Sequence, residues 1–168
     1  MFYTIIKFPL GNIFLAKTNK GLSAVRYAKS ASQIQKLLDG LREKAPEVDY
    51  HKGRFYEEEK LFFRYFRGQR EDFTSLPVDF LTGTPYQKKV WLEARKIPYG
   101  KTETYKSLAL RLNHRGYRSV GQALSRNPLL MVIPCHRVIG SDGSLGGFSA
   151  GLELKDYLLR WERCEIPA

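Results

Sequence analysis

Over the first 27 residues, apolar and polar positions alternate in three short runs: Phe2-Tyr3-Thr4-Ile5-Ile6, Ile13-Phe14-Leu15-Ala16 and Leu22-Ser23-Ala24-Val25. The breaks, Pro9-Leu10-Gly11-Asn12 and Asn19-Lys20-Gly21, carry the residue types that turns require. A two-residue period bounded by such turns predicts three strands in an antiparallel meander. From Ser32 the period lengthens, and Ile34, Leu37, Leu38 and Leu41 share one helical face. A second helix is predicted over Tyr56 to Arg67, gathering Leu61, Phe62, Tyr65 and Phe66 before Gly68 stops it. Residues 1–76 thus read as a small α/β domain in which nothing points to chemistry.

The connector Thr74-Ser75-Leu76-Pro77-Val78 leads into a second, mainly α-helical domain, residues 77–168. Thr84-Pro85-Tyr86-Gln87 has the form of a helix start: Thr84 can cap, Pro85 suits the first turn and Gln87 completes a capping box. Tyr86, Val90, Ala94 and Ile97 continue the stripe until Pro98-Tyr99-Gly100 ends it. Two further helices are predicted between Thr104 and Asn127. The first presents Leu108, Leu110 and Leu112, the second Val120, Ala123 and Leu124. Their short link, Asn113-His114-Arg115-Gly116, has the length and glycine of a helix-turn-helix. The outer face of the second helix is Arg118, Ser119, Gly121, Gln122, Ser125 and Arg126, small, polar or basic, with no acid. Such a face can lie against a phosphate backbone. An ordinary solvated helix has the same composition, and the pattern alone leaves both readings open.

Charge shifts that balance. The 168-residue chain carries 28 Lys and Arg against 17 Asp and Glu, a net charge of +11. An excess of this size attracts polyanions, nucleic acid foremost, although solubility or a heat-adapted surface would have the same sign. No apolar stretch approaches the roughly 18 to 20 residues of a membrane span. The opening MFYTIIKFPLGNIF has neither a charged lead-in nor a small-residue cleavage site, so a soluble, non-exported, cytoplasmic protein is expected. Two cysteines, Cys135 and Cys164, are too few for a disulfide framework or a four-thiol zinc site.

The chemistry centres on Cys135. An apolar run, Leu129-Leu130-Met131-Val132-Ile133, breaks off into Pro134-Cys135-His136-Arg137, which brings a thiol to the edge of a core. Cysteine is a nucleophile only as thiolate, and His136 could serve as the base that removes its proton. The imidazole would then need an acid to orient it, and Glu162 is the candidate, on a final helix that packs through Leu154, Leu158 and Trp161. A structural cysteine beside a surface histidine would give the same dipeptide. Cys164, with no histidine next to it, is assigned no role.

Ile133-Pro134-Cys135-His136-Arg137-Val138 resembles the acceptor motif of the O6-alkylguanine-DNA alkyltransferases, the methylated-DNA–protein-cysteine methyltransferases. Other segments resemble the same family in the same order. Gly83-Thr84-Pro85-Tyr86-Gln87-Lys88-Lys89-Val90-Trp91 is similar to its GT-x-[FY]-Q-x-x-VW, and Ile97-Pro98-Tyr99-Gly100-Lys101-Thr102 to its IPYG-x-T. Arg118-Ser119-Val120-Gly121-Gln122-Ala123 with Asn127-Pro128 is similar to RAVG-x-A and NP. Gly143 to Gly151, Lys155, Leu158-Leu159 and Glu162 follow, so the resemblance spans about residues 80 to 162.

The resemblance implies a ribonuclease H-like N-terminal domain and a winged helix-turn-helix in the C-terminal one. It implies irreversible, single-turnover transfer of an alkyl group from O6-alkylguanine in double-stranded DNA to Cys135, with O4-alkylthymine as a further candidate lesion. The protein would act as a monomer at the nucleoid, with no cofactor and no metal. His136 and Glu162 would form a water-linked relay to the thiol, Tyr105 would hydrogen-bond the leaving guanine, and Asn127 would brace the turn before the acceptor. Arg118 would fill the gap left by the flipped nucleotide, with Tyr105, Tyr117, Ser119, Gly121, Gln122 and Arg126 on the DNA. Ser149, Phe148, Val138 and Met131 would wall the base pocket. Tyr117, Glu103-Thr104, His114-Arg115-Gly116 and Phe148 depart from the commoner residues of the family and bear on substrate preference. Two rival readings remain open: a DNA-binding helix-turn-helix protein without chemistry, and a cysteine hydrolase that turns over repeatedly.

Overall fold

The computed structural model describes residues 1–114 and 116–163. Arg115, in the predicted interhelical turn, and Cys164 lie outside the described residues.

The alternating runs form the meander: β1 (Phe2–Phe8), β2 (Gly11–Lys17) and β3 (Leu22–Ala28), antiparallel in sequence order. A two-residue strand, β4 (Asp49–Tyr50), lies parallel to β1, giving the order β3-β2-β1-β4. The polar pair Asp49-Tyr50 carries no hydrophobic period, which is why the sequence does not announce it. Helix α1 (Ala31–Arg42) makes the crossover from β3 to β4. Its cap is Ser30, whose hydroxyl accepts the Gln33 amide, not Ser32, so the helix starts one residue before Ser32. Central β2 is buried on both faces. Phe14 and Ala16 pack with Leu38, Leu41 and Val48 on the α1 side, while Ile13 and Leu15 join the main core opposite.

Helix α2 (Tyr56–Tyr65) buries Leu61, Phe62 and Tyr65, and Gly68 in the left-handed region (φ 74°) follows its end. Helix α3 (Pro85–Ala94) starts as read. The Thr84 hydroxyl accepts the Gln87 amide at 3.2 Å and the Gln87 side chain accepts the Thr84 amide at 3.0 Å. Helices α4 (Tyr105–Arg111) and α5 (Tyr117–Ser125) follow. Leu108 is buried, but Leu110 is 63% exposed, because α4 is only seven residues long and its buried face is carried by Leu108 and Ala109. Strands β5 (Glu103–Thr104) and β6 (Val138–Ile139) pair in parallel, and α6 (Leu152–Glu162) closes the chain's described part.

The halves are joined at the edge of the sheet. Strand β3 has β2 on one side only. Its open edge takes hydrogen bonds with the connector (Leu22 N to Pro77 O, 2.9 Å; Asp79 N to Leu22 O, 2.7 Å). Further along, Val25 N donates to Pro128 O at 2.9 Å and Leu130 N to Val25 O at 3.0 Å. An otherwise unpaired edge is thereby satisfied by the segment that leads to Cys135. One buried cluster then runs from Ile13, Leu15 and Val25 through Phe62, Tyr65, Trp91 and Val120 to Cys135 and Trp161.

Candidate active site

The apolar run 129–133 is buried throughout, and Cys135 opens a single 3-10 turn (Cys135–Arg137) at its end with 5% of its surface exposed. The run doubles back on itself: Ile133 N donates to Leu129 O at 2.8 Å, and Met131 sits at φ 68°, a conformation that costs an L residue about 1–2 kcal/mol. Asn127 holds this bend. Its Oδ1 accepts the Leu129 amide at 2.8 Å, and its Nδ2 donates to the Ile133 carbonyl at 2.9 Å and to Cys135 Sγ at 3.2 Å. Burial pushes the Cys135 thiol above its ordinary pKa, opposed by the Asn127 hydrogen bond and by the charges of Lys155 and Arg26.

Behind the thiol, Glu162 is a buried hub. It accepts His136 Nε2 at 2.7 Å, Arg137 Nε at 2.9 Å and Nη2 at 3.0 Å, the Tyr65 hydroxyl at 2.8 Å and the Gly100 amide at 3.1 Å. Burial alone would raise the Glu162 pKa, but His136 and Arg137 outweigh it and hold the carboxyl well below the usual carboxylate range. Burial pulls the His136 imidazole down, against the pull of Glu162, so the ring is neutral at pH 7. An ionised carboxylate can only accept, which makes Nε2 the protonated nitrogen and leaves Nδ1 with a lone pair. Nδ1 is buried and has no protein partner among the described residues. The pair is therefore a neutral imidazole poised as a base.

Lys155, on α6, is fully buried and donates to the carbonyls of Val138 (2.6 Å), Leu145 and Gly147 and to the Tyr105 hydroxyl (3.4 Å). Burial lowers its pKa to about 8. Tyr105, raised by burial above the ordinary phenol value, keeps its proton and donates to Gly147 O at 3.2 Å. Gly146 (φ 64°) lets the loop pass this close, since a Cβ there would fall 2.9 Å from the Tyr105 oxygen.

Two cavities meet here. One, of about 260 Å³, is lined by Arg26, Tyr27, Ser125, Asn127, Leu130, Cys135, Ser149 and Ala150. The other, of about 400 Å³, is lined by Tyr105, Tyr117, Arg118, Gly121, Gly147 and Phe148. Ser125 and Ser149 line both, so the cavity that holds the sulfur adjoins the one on the outer face of α5. A larger groove of about 610 Å³ between β1 and α2 holds no thiol or imidazole.

Of the residues named from sequence, Cys135, Asn127, Ser149, Phe148, Tyr105, Tyr117, Arg118 and Gly121 line these two cavities, and His136 and Glu162 lie behind them. Arg118 and Gln122 are exposed on α5, and Arg126 is exposed just past its end. Ser119 is placed differently. Its hydroxyl donates to Gly116 O at 2.6 Å and bonds the Tyr86 hydroxyl at 2.9 Å, which ties α5 to α3. Met131 and Val138 are buried and line neither cavity. Leu130 takes the wall position, because the left-handed Met131 turns its side chain into the core, and Val138 contributes a carbonyl to Lys155. Sequence reasoning missed Arg26, Tyr27 and Tyr65 in the first domain, which reach the site although that domain showed no chemistry by itself.

The buried thiol thus lies beside the exposed face of the second of two consecutive short helices. Residues 1–80 match the model of the 6-O-methylguanine DNA methyltransferase ribonuclease-like domain, and residues 85–164 match that of the same family's DNA-binding domain. The chain is 40% identical over 163 residues to the methylated-DNA–protein-cysteine methyltransferase of Methanosarcina barkeri, covering 96% of this chain and 97% of that one. It is 33% identical over 168 residues to the Haemophilus influenzae protein of the same name, covering 97% and 87%. The crystal structure of Mycobacterium tuberculosis OGT in complex with DNA superposes with a TM-score of 0.83 at 30% identity, covering 100% of this chain and 96% of that one. The chain belongs to the 6-O-methylguanine DNA methyltransferase family.

Proposed function

We propose that the chain repairs alkylated DNA by direct reversal, moving the alkyl group of O6-alkylguanine onto Cys135 in one irreversible step. The observation that carries this reading is the buried thiol beside an Asn127 donor and a Glu162–His136 pair, in a cavity that adjoins the one on the exposed face of α5. The two family models, ending at residue 80 and beginning at residue 85, support a division of labour between an N-terminal unit, residues 1–76, and a DNA-binding acceptor unit, residues 77–168.

The alkylated oxygen lies inside the duplex, so the nucleotide must rotate out, at a cost of a few kcal/mol. Arg118 fills the gap and offsets part of that cost, while Tyr117, Gln122 and Arg126 meet the backbone and the small residue Gly121 permits close approach. The base passes Phe148 and Ser149 to reach the sulfur. His136 Nδ1 takes the thiol proton through a bridging water. The Sγ–carbon bond forms as the carbon–O6 bond breaks, and the electron pair goes to O6 and the ring. The ring takes up a proton, so that the thiol proton is in net terms transferred to guanine. The Tyr105 hydroxyl, hydrogen-bonded to the base, steadies the charge as it develops.

The product is a neutral thioether, a poor leaving group, so each chain acts once. The protein works as a monomer in the cytoplasm, on nucleoid DNA. Among the described residues no helix is long and apolar enough to cross a membrane. Incubation with duplex DNA carrying a labelled O6-methylguanine tests the reading. Label is expected to move to the protein, up to one methyl group per chain, and to stay there. Label that remains on DNA supports a binding protein without chemistry. Label released to solution with repeated turnover supports a hydrolase.

A further inference from the structure

The Cys135 thiol faces a problem of electrostatics, because burial disfavours the thiolate that the reaction needs. Part of the answer comes from the other half of the chain. Arg26 on β3 donates from Nη1 to the Asn127 carbonyl at 2.5 Å, across 101 residues of sequence. Asn127 is the residue whose Nδ2 reaches Sγ at 3.2 Å. Arg26 also lines the same 260 Å³ cavity as Cys135. Its backbone is fixed there by neighbouring Val25, which is hydrogen-bonded to Pro128 and Leu130 on either side of Leu129.

We propose that Arg26 is a positioning residue for alkyl transfer: it anchors Asn127 against the thiol and sets a permanent positive charge beside the thiolate. The proposal rests on Cys135 being the alkyl acceptor. A guanidinium keeps its proton at any working pH, so its charge does not fade where a lysine's would. Burial lowers the Arg26 pKa and the Cys135 charge raises it, which is the reciprocal of the pull that Arg26 exerts on the sulfur. The other charged and titratable groups around the thiol are Tyr27 on β3, Tyr105 on α4, Lys155 and Glu162 on α6, and His136 and Arg137 in its own turn. Lys36 of α1 and Lys44 just beyond its end line the adjoining groove with Arg26. Arg26 is the cation that also holds the backbone of the thiol's hydrogen-bond donor.

The test is the rate of alkyl transfer from a free O6-alkylguanine base as a function of pH, for the full chain and for Arg26→Met, Arg26→Gln and Arg26→Lys. The free base removes DNA binding from the readout. Arg26→Met is expected to move the midpoint of the profile up by about one unit, lowering the rate near neutrality about tenfold and converging on the wild-type rate at high pH. Arg26→Gln, which keeps a donor for the Asn127 carbonyl but no charge, should shift similarly and serves if Arg26→Met does not fold. Arg26→Lys should restore the midpoint. A profile that falls by the same factor at every pH, or one that does not move, overturns the proposal while the wild type still takes up the alkyl group. Failure of the wild type to do so overturns the repair reading itself.

Discussion

Asn127 Nδ2 stands 3.2 Å from Cys135 Sγ while the same side chain holds both ends of the bend that delivers the sulfur, the Leu129 amide at 2.8 Å and the Ile133 carbonyl at 2.9 Å. One buried amide thus shapes the acceptor loop and hydrogen-bonds the acceptor. Replacing Asn127 by Ala strands the buried Leu129 amide, at roughly 1–3 kcal/mol for an unpaired group, while the Ile133 carbonyl keeps the Cys135 amide at 2.8 Å. Urea denaturation should show a loss of about 2 kcal/mol for Asn127→Ala, together with slower alkyl transfer. An unchanged denaturation midpoint would contradict the bracing role.

Glu162 is the acceptor for four different residues, Tyr65, Gly100, His136 and Arg137. Changing it to Gln removes the charge that compensates buried Arg137, which leaves Asp72, at 2.8 Å, as its one ionic partner among the described residues. Breaking a buried pair in this way costs about 3–5 kcal/mol. Glu162→Gln should therefore melt well below the wild type and transfer alkyl groups slowly, because the neutral amide no longer dictates the His136 tautomer. A melting temperature within a degree or two of the wild type would count against the hub.

The same pair sets the acid side of the stability curve. The folded-state pKa of Glu162 is depressed, so its contribution is present above the unfolded carboxyl value of about 4.3 and is lost as pH falls below it. That of His136 is depressed too. Below about pH 6.5 the unfolded chain binds a proton that the folded ring refuses, and stability declines as pH drops. Unfolding free energy measured between about pH 8 and 2.5 should fall in two stages, the upper flattened in His136→Asn and the lower in Glu162→Gln. A flat curve over that range would show that neither group is held as described.

Local signals carried the fold a long way. The capping box at Thr84 and Gln87 was legible because its hydrogen bonds join residues three apart. The strands were legible from short apolar runs bounded by turn residues, although β2, buried on both faces, reads as a continuous apolar run with no alternation. Cys135, His136 and Glu162 were legible as chemistry, with Glu162 reachable because α6 has a clear apolar stripe. Arg26 and Tyr65 were not, since each reaches the site only through a contact spanning about a hundred residues and neither sits in a motif that reads as catalytic. Met131 could be seen as apolar and buried, but the left-handed backbone that turns it from the cavity has no glycine to announce it.

Arg118 is exposed at the mouth of the outer cavity, next to Tyr117 and Gly121. If it stabilises the flipped nucleotide, its removal matters only when there is a duplex to open. Arg118→Ala should repair alkylated duplex DNA about tenfold or more slowly, within the few kcal/mol that flipping costs, while reacting almost normally with the free base. Equal losses on both substrates would remove the flipping role.

The most direct measurement places the alkyl group on the chain. Trypsin separates the two cysteines into distinct peptides, Asn127 to Arg137 containing Cys135 and Cys164 to Ala168 containing the other. After reaction with O6-methylguanine duplex DNA, mass spectrometry should find one added methyl group, on the first peptide alone, and none in a Cys135→Ser chain. A methyl group on the Cys164 peptide, or an unmodified chain beside repaired DNA, would contradict the account.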